Sequence, residues 1–135
     1  MKRVLIVEDD EKVAKALHLR VQGAGYVTTV AYDAVSGVIA AARMKPDAVL
    51  LDISLPAGSG FSVAQRIQAI TPSRLPIIFI TASRKPGLCD RAIELGASGY
   101  LEKPYDPVQL VELLHNLLGE PNPRSAPNMG NPGSA

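Results

Sequence analysis

Short runs of apolar residues alternate along the chain with segments in which apolar residues recur every three or four positions. Several runs are rich in β-branched residues, and glycine or proline flanks them, which favours strands over buried helical segments. The second run is the weakest and the fifth is the shortest. The five runs are "VLIV" at 4–7, "YVTTVA" at 26–31, "AVLL" at 48–51, "IIFI" at 77–80 and "GYL" at 99–101.

A helical period fills the gaps between these runs and the segment after the last one. The final helix has the clearest bounds, because Asp106 suits an N-cap, Pro107 the first helical position and Gly119 the position just past the end. Glycine or proline also ends each earlier segment. The periodic positions are Val13, Ala16, Leu17 and Val21; Val35, Val38, Ile39 and Ala42; Phe61, Ala64, Ile67 and Ile70; Leu88, Ala92 and Leu95; and Leu110, Leu113, Leu114, Leu117 and Leu118.

Five strands that alternate with five helices predict an α/β fold. Neighbouring parallel strands need a crossover connection, and the helices of those crossovers cover both faces of the sheet. We therefore predict a doubly wound, five-stranded parallel sheet of the flavodoxin-like type, with strand order 2-1-3-4-5 and five helices. In such a sheet, ligands bind beyond the carboxyl ends of the strands, where the strand order reverses. The chemistry should then lie where the first and third strands end side by side.

Composition limits the function without identifying it. The chain has 135 residues and a formal net charge of +1, so it suits one domain and carries no electrostatic footprint for nucleic acid. No apolar run is long enough to span a membrane, and the stretch after Met1 turns acidic too soon for a signal peptide. The single Cys89 cannot form an internal disulfide, which fits a reducing cytoplasm. Residues 1–119 form the predicted domain, and 120–135, rich in proline, asparagine and glycine, form a predicted tail or linker.

Side chains that can carry chemistry follow four of the five strands. Glu8 and Asp9 follow the first strand, and Asp52 follows the apolar run of the third. Thr81 ends the fourth strand and Lys103 follows the fifth. Three carboxylates in one pocket repel each other unless protons or a cation relieve the repulsion. Hard oxygen ligands suit Mg²⁺, so the sequence predicts a magnesium site.

Asp52 has the setting of a nucleophile. The proline and glycines of 56–60 end the strand sharply and leave space beside its carboxylate. An ionised carboxylate that attacks phosphorus gives an aspartyl phosphate. Such a transfer depends on alignment and on neutralising the equatorial oxygens, which Mg²⁺, the Lys103 ammonium and the Thr81 hydroxyl would cover one each.

Four segments, "VLIVEDD", "LLDISLPAGSG", "IIFITA" and "GYLEKPY", occur in this order, each at a predicted strand end. Together they resemble the receiver domain of two-component response regulators, over residues 1 to 119. The resemblance implies a cytoplasmic switch that a histidine kinase or phosphotransfer protein phosphorylates and that acts on a downstream output domain or protein. It implies no enzyme with other substrates, because a receiver catalyses only its own phosphorylation from a phosphohistidine donor and its own dephosphorylation. Direct binding of nucleic acid or membrane is not implied, and a phosphorylation-dependent homodimer is a further candidate assembly.

The resemblance also assigns roles to single residues. Asp52 is the implied phosphoacceptor, and Thr81 and Lys103 hold the phosphoryl group. Thr81 and Tyr100 form the implied switch, which changes the surface of the fourth helix, fifth strand and fifth helix. Lys103 and Pro104 are joined by an implied cis peptide bond.

The implied Mg²⁺ site uses the same pocket. By resemblance, Asp9 is a direct ligand and Glu8 acts on the metal through water. Asp52 and the backbone carbonyl of Ser54 complete the implied set. The next two acids, Asp10–Glu11, are interpreted instead as acids at the positive end of the first helix.

Three other functions stay open on the residues alone. A flavodoxin-like nucleotide binder would want a phosphate loop rich in glycine, serine or threonine after the first strand, where Glu8–Glu11 would repel phosphate. A dehalogenase-type phosphatase would want a second acid two residues after Asp52, where this chain has Ser54. A receiver fold used as a constitutive interaction module without phosphorylation is the more serious rival. Mg²⁺ affinity and acyl-phosphate labelling would separate that module from a phosphorylated switch.

Overall fold

Five parallel strands form the central sheet. The computed structural model describes residues 1–56, 58–71 and 74–120. The predicted tail, except for its first residue Glu120, therefore lies outside the described residues. The strands are β1 (Arg3–Val7), β2 (Val27–Ala31), β3 (Ala48–Asp52), β4 (Ile77–Thr81) and β5 (Gly99–Glu102). Their spatial order is β2-β1-β3-β4-β5, which confirms the predicted order. A small antiparallel hairpin, in which Ser54–Leu55 pairs with Gly58–Ser59, follows β3 and is an addition to the prediction.

Five helices cover the two faces of the sheet, as predicted. They are α1 (Glu11–Gly23), α2 (Ala34–Met44), α3 (Gly60–Ile70), α4 (Leu88–Glu94) and α5 (Pro107–Leu118). α1 and α5 pack on one face, and α2, α3 and α4 pack on the other. The strands are buried from both sides, which explains why they are continuous apolar runs. No helix in the described part of the chain is both long enough and apolar enough to pass through a lipid bilayer.

A polar side chain begins four of the helices. Asp10 and Asp106 accept hydrogen bonds from backbone N–H groups in the first turns of α1 and α5. Asp33 does the same for α2 and Ser59 for α3. These caps satisfy donors that have no partner inside the helix. The predicted N-cap at Asp106 is confirmed, and the cap at Asp10 agrees with its interpretation as part of a helix start.

α2 turns its small residues inward and its larger ones outward. It buries Gly37 and Ala41, whereas Val35 and Ile39 are 61% and 46% exposed. An ideal Cβ at Gly37 would lie 3.0 Å from the methyl carbons of Val7, so the helix lies very close to β1. Of the four apolar residues that predicted this helix, only Val38 packs against the core, whereas Val35, Ile39 and Ala42 are exposed.

The register of the central strands sets the place of the site. Val7 of β1 pairs with Leu51 of β3, and Asp52 pairs with Ile80 of β4. The carboxyl ends of these three strands therefore meet at one edge of the sheet. This edge contains the predicted reversal of strand order, between β1 and β3.

Candidate functional site

Two buried carboxylates lie at the reversal of strand order. Glu8 follows β1 and Asp52 ends β3, and the two strands run side by side in register. Glu8 is 1% exposed and Asp52 is 5% exposed, whereas Asp9 is exposed. Acidic side chains are almost never buried this deeply unless they have partners. The site is therefore an acidic pocket that reaches solvent at Asp9.

The carboxylates of Glu8, Asp9 and Asp52 are close enough to share one cation. One oxygen of each lies within 4.8 Å of the others. A donor set made only of oxygens, with an exposed member that leaves room for water, suits Mg²⁺ better than it suits softer transition metals. These residues therefore fit the predicted cofactor.

Lys103 supplies a positive charge to this pocket. It follows β5, and the peptide bond that joins it to Pro104 is cis, the state that the receiver resemblance implies. Its Nζ atom lies 2.6 Å from Oε1 of Glu8 and 3.5 Å from Oδ2 of Asp52. The ammonium thus donates a short, charge-assisted hydrogen bond to Glu8 and a longer one to Asp52. Lys103 is nearer to Glu8 than to the proposed nucleophile, which the sequence did not indicate.

Burial changes the protonation of this cluster. The pKa of Glu8 is raised from 4.5 to about 7, chiefly because burial disfavours the carboxylate and also because Asp52 lies beside it, while Lys103 opposes the rise. Burial lowers the pKa of Lys103, but its hydrogen bonds to the two carboxylates and their charges outweigh that effect, so its pKa lies above the ordinary value. The metal-free pocket therefore holds a proton more readily than separate carboxylates would.

We expect the metal-free protein to lose stability relative to a Glu8→Gln variant as the pH rises from about 5 to about 8. The pKa of Glu8 in the folded state, about 7, lies above its ordinary value of 4.5, so the folded state binds the proton more tightly. The contribution of protonated Glu8 to the free energy of unfolding is complete below about pH 4.5 and disappears as the pH passes about 7. Its upper limit is on the order of 3 kcal/mol.

Urea unfolding at several pH values, with chelator present, measures this contribution. The variant has no titrating group at position 8, so the difference in the free energy of unfolding between the two proteins reports the titration of Glu8 together with its coupling to the neighbouring Asp52 and Lys103. Parallel curves for wild type and variant across this pH range would contradict the raised pKa.

Backbone groups fix Asp52 and the chain that leaves it. The N–H of Ser54 donates to Oδ1 of Asp52 at 3.0 Å, and the N–H of Gly60 donates to the carbonyl of Ile53 at 2.7 Å. The hairpin between them returns the start of α3 to the end of β3. An ideal Cβ at Gly60 would lie 2.2 Å from the carbonyl oxygen of Asp52. The sequence indicated Gly60 only as a strand breaker, and this close contact is visible only in the structure.

The two predicted switch residues lie on neighbouring strands. Thr81, at the end of β4, is fully buried, and its Oγ1 accepts a hydrogen bond from the N–H of Ser83 at 3.0 Å. Among the described residues, Thr81 forms no hydrogen bond with Asp52. Tyr100 lies on β5, pairs with Phe79 and packs, half-buried, against the core on the face of α2, α3 and α4. Residues 8, 9, 52 and 103 are therefore brought together. Thr81 adjoins them through its carbonyl, which accepts a hydrogen bond from the N–H of Lys103 at 2.8 Å, and Tyr100 lies on the strand next to Thr81.

An ion pair that sequence reasoning missed joins the loop after β4 to the end of β5, near Tyr100. Nη1 of Arg84, which follows β4, lies 2.9 Å from Oε2 of Glu102. Nη2 of Arg84 also donates to the carbonyl of Lys103 at 3.5 Å. The Arg84 and Glu102 side chains are 67% and 47% exposed, so the pair contributes little to global stability. No spacing signal could have found it, because the two residues meet only through the pairing of β4 with β5.

Comparison with known proteins gives one family. The model of the response regulator receiver domain matches residues 4–115. The chain is 36% identical over 117 residues to the uncharacterized transcriptional regulatory protein YkoG of Bacillus subtilis, covering 85% of this chain and 50% of YkoG. It is 34% identical over 116 residues to the transcriptional activator protein IrlR of Burkholderia pseudomallei, covering 86% of this chain and 50% of IrlR. The chain therefore spans about half the length of these relatives.

Solved structures agree in fold. A putative response regulator from Chloroflexus aurantiacus superimposes with a TM-score of 0.80 at 33% identity, over 88% of this chain and 98% of that one. The region that the family model matches, residues 4–115, includes the sheet except for Arg3 at the start of β1, and it includes every residue of the acidic pocket.

Proposed function

The chain belongs to the response regulator receiver domain family, and we propose that it is a phosphorylation-activated signalling switch in which Asp52 accepts the phosphoryl group. One observation carries the proposal: the buried Asp52 carboxylate lies among two other acids and within 3.5 Å of the Lys103 ammonium. This arrangement places a carboxylate nucleophile beside two other acids. It also provides one ammonium group that can neutralise negative charge on the phosphoryl group as it is transferred.

The residues of the pocket have distinct tasks in the proposed transfer. One carboxylate oxygen of Asp52 forms a bond to phosphorus while the bond from phosphorus to the donor's imidazole nitrogen breaks, and that nitrogen keeps the electron pair. The Lys103 ammonium stabilises negative charge on one phosphoryl oxygen, and the Thr81 hydroxyl donates to another. The N–H of Ser54 holds the second carboxylate oxygen, Oδ1 in this structure, and so orients the nucleophile. The same residues support the proposed self-catalysed dephosphorylation by holding the phosphoryl group open to water.

Glu8, Asp9, Asp52 and the backbone carbonyl of Ser54 are the residues that would hold Mg²⁺. When bound, Mg²⁺ keeps Asp52 ionised and neutralises charge on the phosphoryl oxygens. Without it, the raised pKa of Glu8, about 7, indicates that the pocket holds a proton below neutral pH.

The proposed phosphodonor is a histidine kinase or a phosphotransfer protein of the cytoplasm. The proposed readout is a downstream output domain or protein that recognises the surface of α4, β5 and α5. YkoG and IrlR are described as transcriptional regulators and are about twice as long as the matched region, which supports control of transcription as the output. A net charge of +1 gives this domain little electrostatic attraction for nucleic acid, which supports the proposal that it does not bind nucleic acid directly. A phosphorylated homodimer through the same surface is a further proposed assembly.

Intact-mass measurement after treatment with acetyl phosphate and Mg²⁺ tests the function. We expect one added phosphate, loss of the signal with chelator, and localisation to the peptide that contains Asp52. A protein that binds Mg²⁺ yet gains no phosphate from acetyl phosphate or from phosphohistidine donors would favour the constitutive interaction module instead.

We expect Thr81→Ala to uncouple phosphorylation from Tyr100. Phosphoryl oxygens at Asp52 attract the Thr81 hydroxyl, whose movement leaves space into which Tyr100 rotates. The difference in phosphate contacts supplies only roughly 1–3 kcal/mol, so the free protein should populate both Tyr100 rotamers. Beryllofluoride at Asp52, whose fluorine atoms stand in for phosphoryl oxygens, should shift wild type to the inward rotamer in NMR spectra of the Tyr100 ring.

Thr29→Ala makes the same truncation on β2 and should leave the shift intact. Thr81→Ala should bind beryllofluoride while losing most of the Tyr100 response. A full Tyr100 response in Thr81→Ala, or an outward Tyr100 in saturated wild type, would rule out this switch.

A further inference from the structure

α2 presents an apolar ridge to solvent. Tyr32, Val35 and Ile39 are 50%, 61% and 46% exposed, and exposed Ala42 follows them at helical spacing. Together these four residues are the α2 ridge. Nine large apolar side chains are exposed in the part of the chain that the structure describes, and three of the nine lie in this ridge. Such clustering is typical of an interaction surface, whereas single exposed apolar residues are normal.

A groove continues the α2 ridge at its C-terminal end. It lies between the ends of α2 and α3, has a volume of about 320 Å³ and is lined mainly by apolar side chains. Ile70, on its α3 side, is itself 48% exposed. This α2–α3 groove is lined by Ala41, Ala42, Pro46, Ile70 and Leu75, with Lys45 and Thr71 also present. A single aromatic or large aliphatic side chain would fit it.

The α2 ridge and the α2–α3 groove complement each other when two copies of the chain run antiparallel. Tyr32 lies just before the N-terminus of α2 and the groove lies at its C-terminus, about 15 Å away along a helix of this length. A two-fold axis across α2 near residues 37–38 brings the Tyr32 of each copy to the groove of the other, at Ala42. The same axis places Val35 opposite Ile39, so one patch serves both copies.

Charges at the two ends of α2 favour the same arrangement. Asp33 and Arg43 are both exposed, and the nine residues between them, 34–42, carry no charge. Antiparallel copies bring Asp33 of one near Arg43 of the other, whereas parallel copies would bring like charges together. The helix dipoles are also opposed favourably in the antiparallel arrangement.

We propose that α2 is an interface between two copies of this chain, packed antiparallel, with each Tyr32 in the other copy's α2–α3 groove. The contact uses neither Asp52 nor the surface of α4, β5 and α5, so it forms without phosphorylation. A contact confined to one helix face and one groove is expected to bury less than the roughly 800 Å² per partner of stable complexes, so we expect a weak dimer. This weak interface forms to a larger extent where another contact already holds two chains close together, because their effective concentration is then high.

Sedimentation velocity and NMR relaxation from about 0.05 to about 1 mM protein, with chelator present, test the interface. We expect concentration-dependent self-association in wild type, with chemical-shift changes confined to 32–45 and 70–75. Ile39→Asp and Tyr32→Ala should each weaken it at least about tenfold. Arg43→Glu should weaken it at low salt and less at high salt.

Leu19→Asp is the matched control, because Leu19 is 57% exposed on α1, outside both the α2 ridge and the surface of α4, β5 and α5, and the change in charge is the same. It should leave self-association unaltered, and thermal melting of each variant verifies that it is folded. A monomeric wild type across the whole range would overturn the proposal, as would self-association that Ile39→Asp leaves intact. Because chelator prevents phosphorylation, neither result bears on the role of Asp52.

Discussion

Asp52→Asn should abolish phosphorylation of this protein by acetyl phosphate and by a phosphohistidine donor. An amide keeps the size of the carboxylate and can still accept the Ser54 hydrogen bond that is made at 3.0 Å, but its oxygen is not an anionic nucleophile. No other carboxylate in the pocket has the same position, because Glu8 is engaged by Lys103 and Asp9 is exposed. Incorporation of phosphate, followed by intact mass, should fall to background.

Asp90→Asn is the matched control for this variant. Asp90 is an exposed residue of α4, so the same change of charge should leave phosphate incorporation at the wild-type level. A folded Asp52→Asn protein that still gains one phosphate would move the phosphoacceptor to another residue and refute the assignment.

Gly60→Ala should destabilise the fold by about 3 kcal/mol. The added methyl group would lie 2.2 Å from the carbonyl oxygen of Asp52 and 2.8 Å from Cα of Ile53. Both atoms belong to the backbone, so no side-chain rotation relieves the clash and the end of β3 must move away from α3. Denaturant unfolding should show a lower midpoint, and the displaced Asp52 should accept phosphate more slowly in the fraction that remains folded.

Gly23→Ala is the control, because an ideal Cβ at Gly23 meets nothing within 4 Å. Alanine is the better helix former at the end of α1, so this variant should gain up to about 1 kcal/mol. If Gly60→Ala matched wild type in stability, the close approach of α3 to β3 would not constrain the site.

The fold could be predicted from the sequence because its different local signals indicate the same strands and helices. Apolar runs, helical periods and breakers alternate without conflict, and Asp106 and Pro107 occupy the positions in α5 that helix-start preferences predict. The pocket followed from topology, since a parallel sheet collects whatever follows its strands at one edge. That is why residues as distant as Glu8 and Lys103 could be assigned to one site before any distance was known.

The details that sequence could not supply are those set by close contact. Spacing favoured Val35 and Ile39 as marks of α2, but Gly37 allows that helix to approach β1 so closely that its small face is buried. The pairing of Lys103 with Glu8 rather than mainly with Asp52 depends on differences of about an ångström between side chains. Such choices are decided by packing, which a pattern of residue types does not encode.

The ion pair between Glu8 and Lys103 joins groups 95 residues apart in the chain. A nascent chain that has not yet released β5 and its following loop from the ribosome has the proposed nucleophile, Asp52, but lacks the Lys103 ammonium beside it. The same holds for a molecule whose last strand and helix have detached. If Asp52 is the phosphoacceptor as proposed, we therefore expect the ability to receive a phosphoryl group to arise only with the last part of the domain, so that incomplete or damaged copies take no phosphate from intact ones.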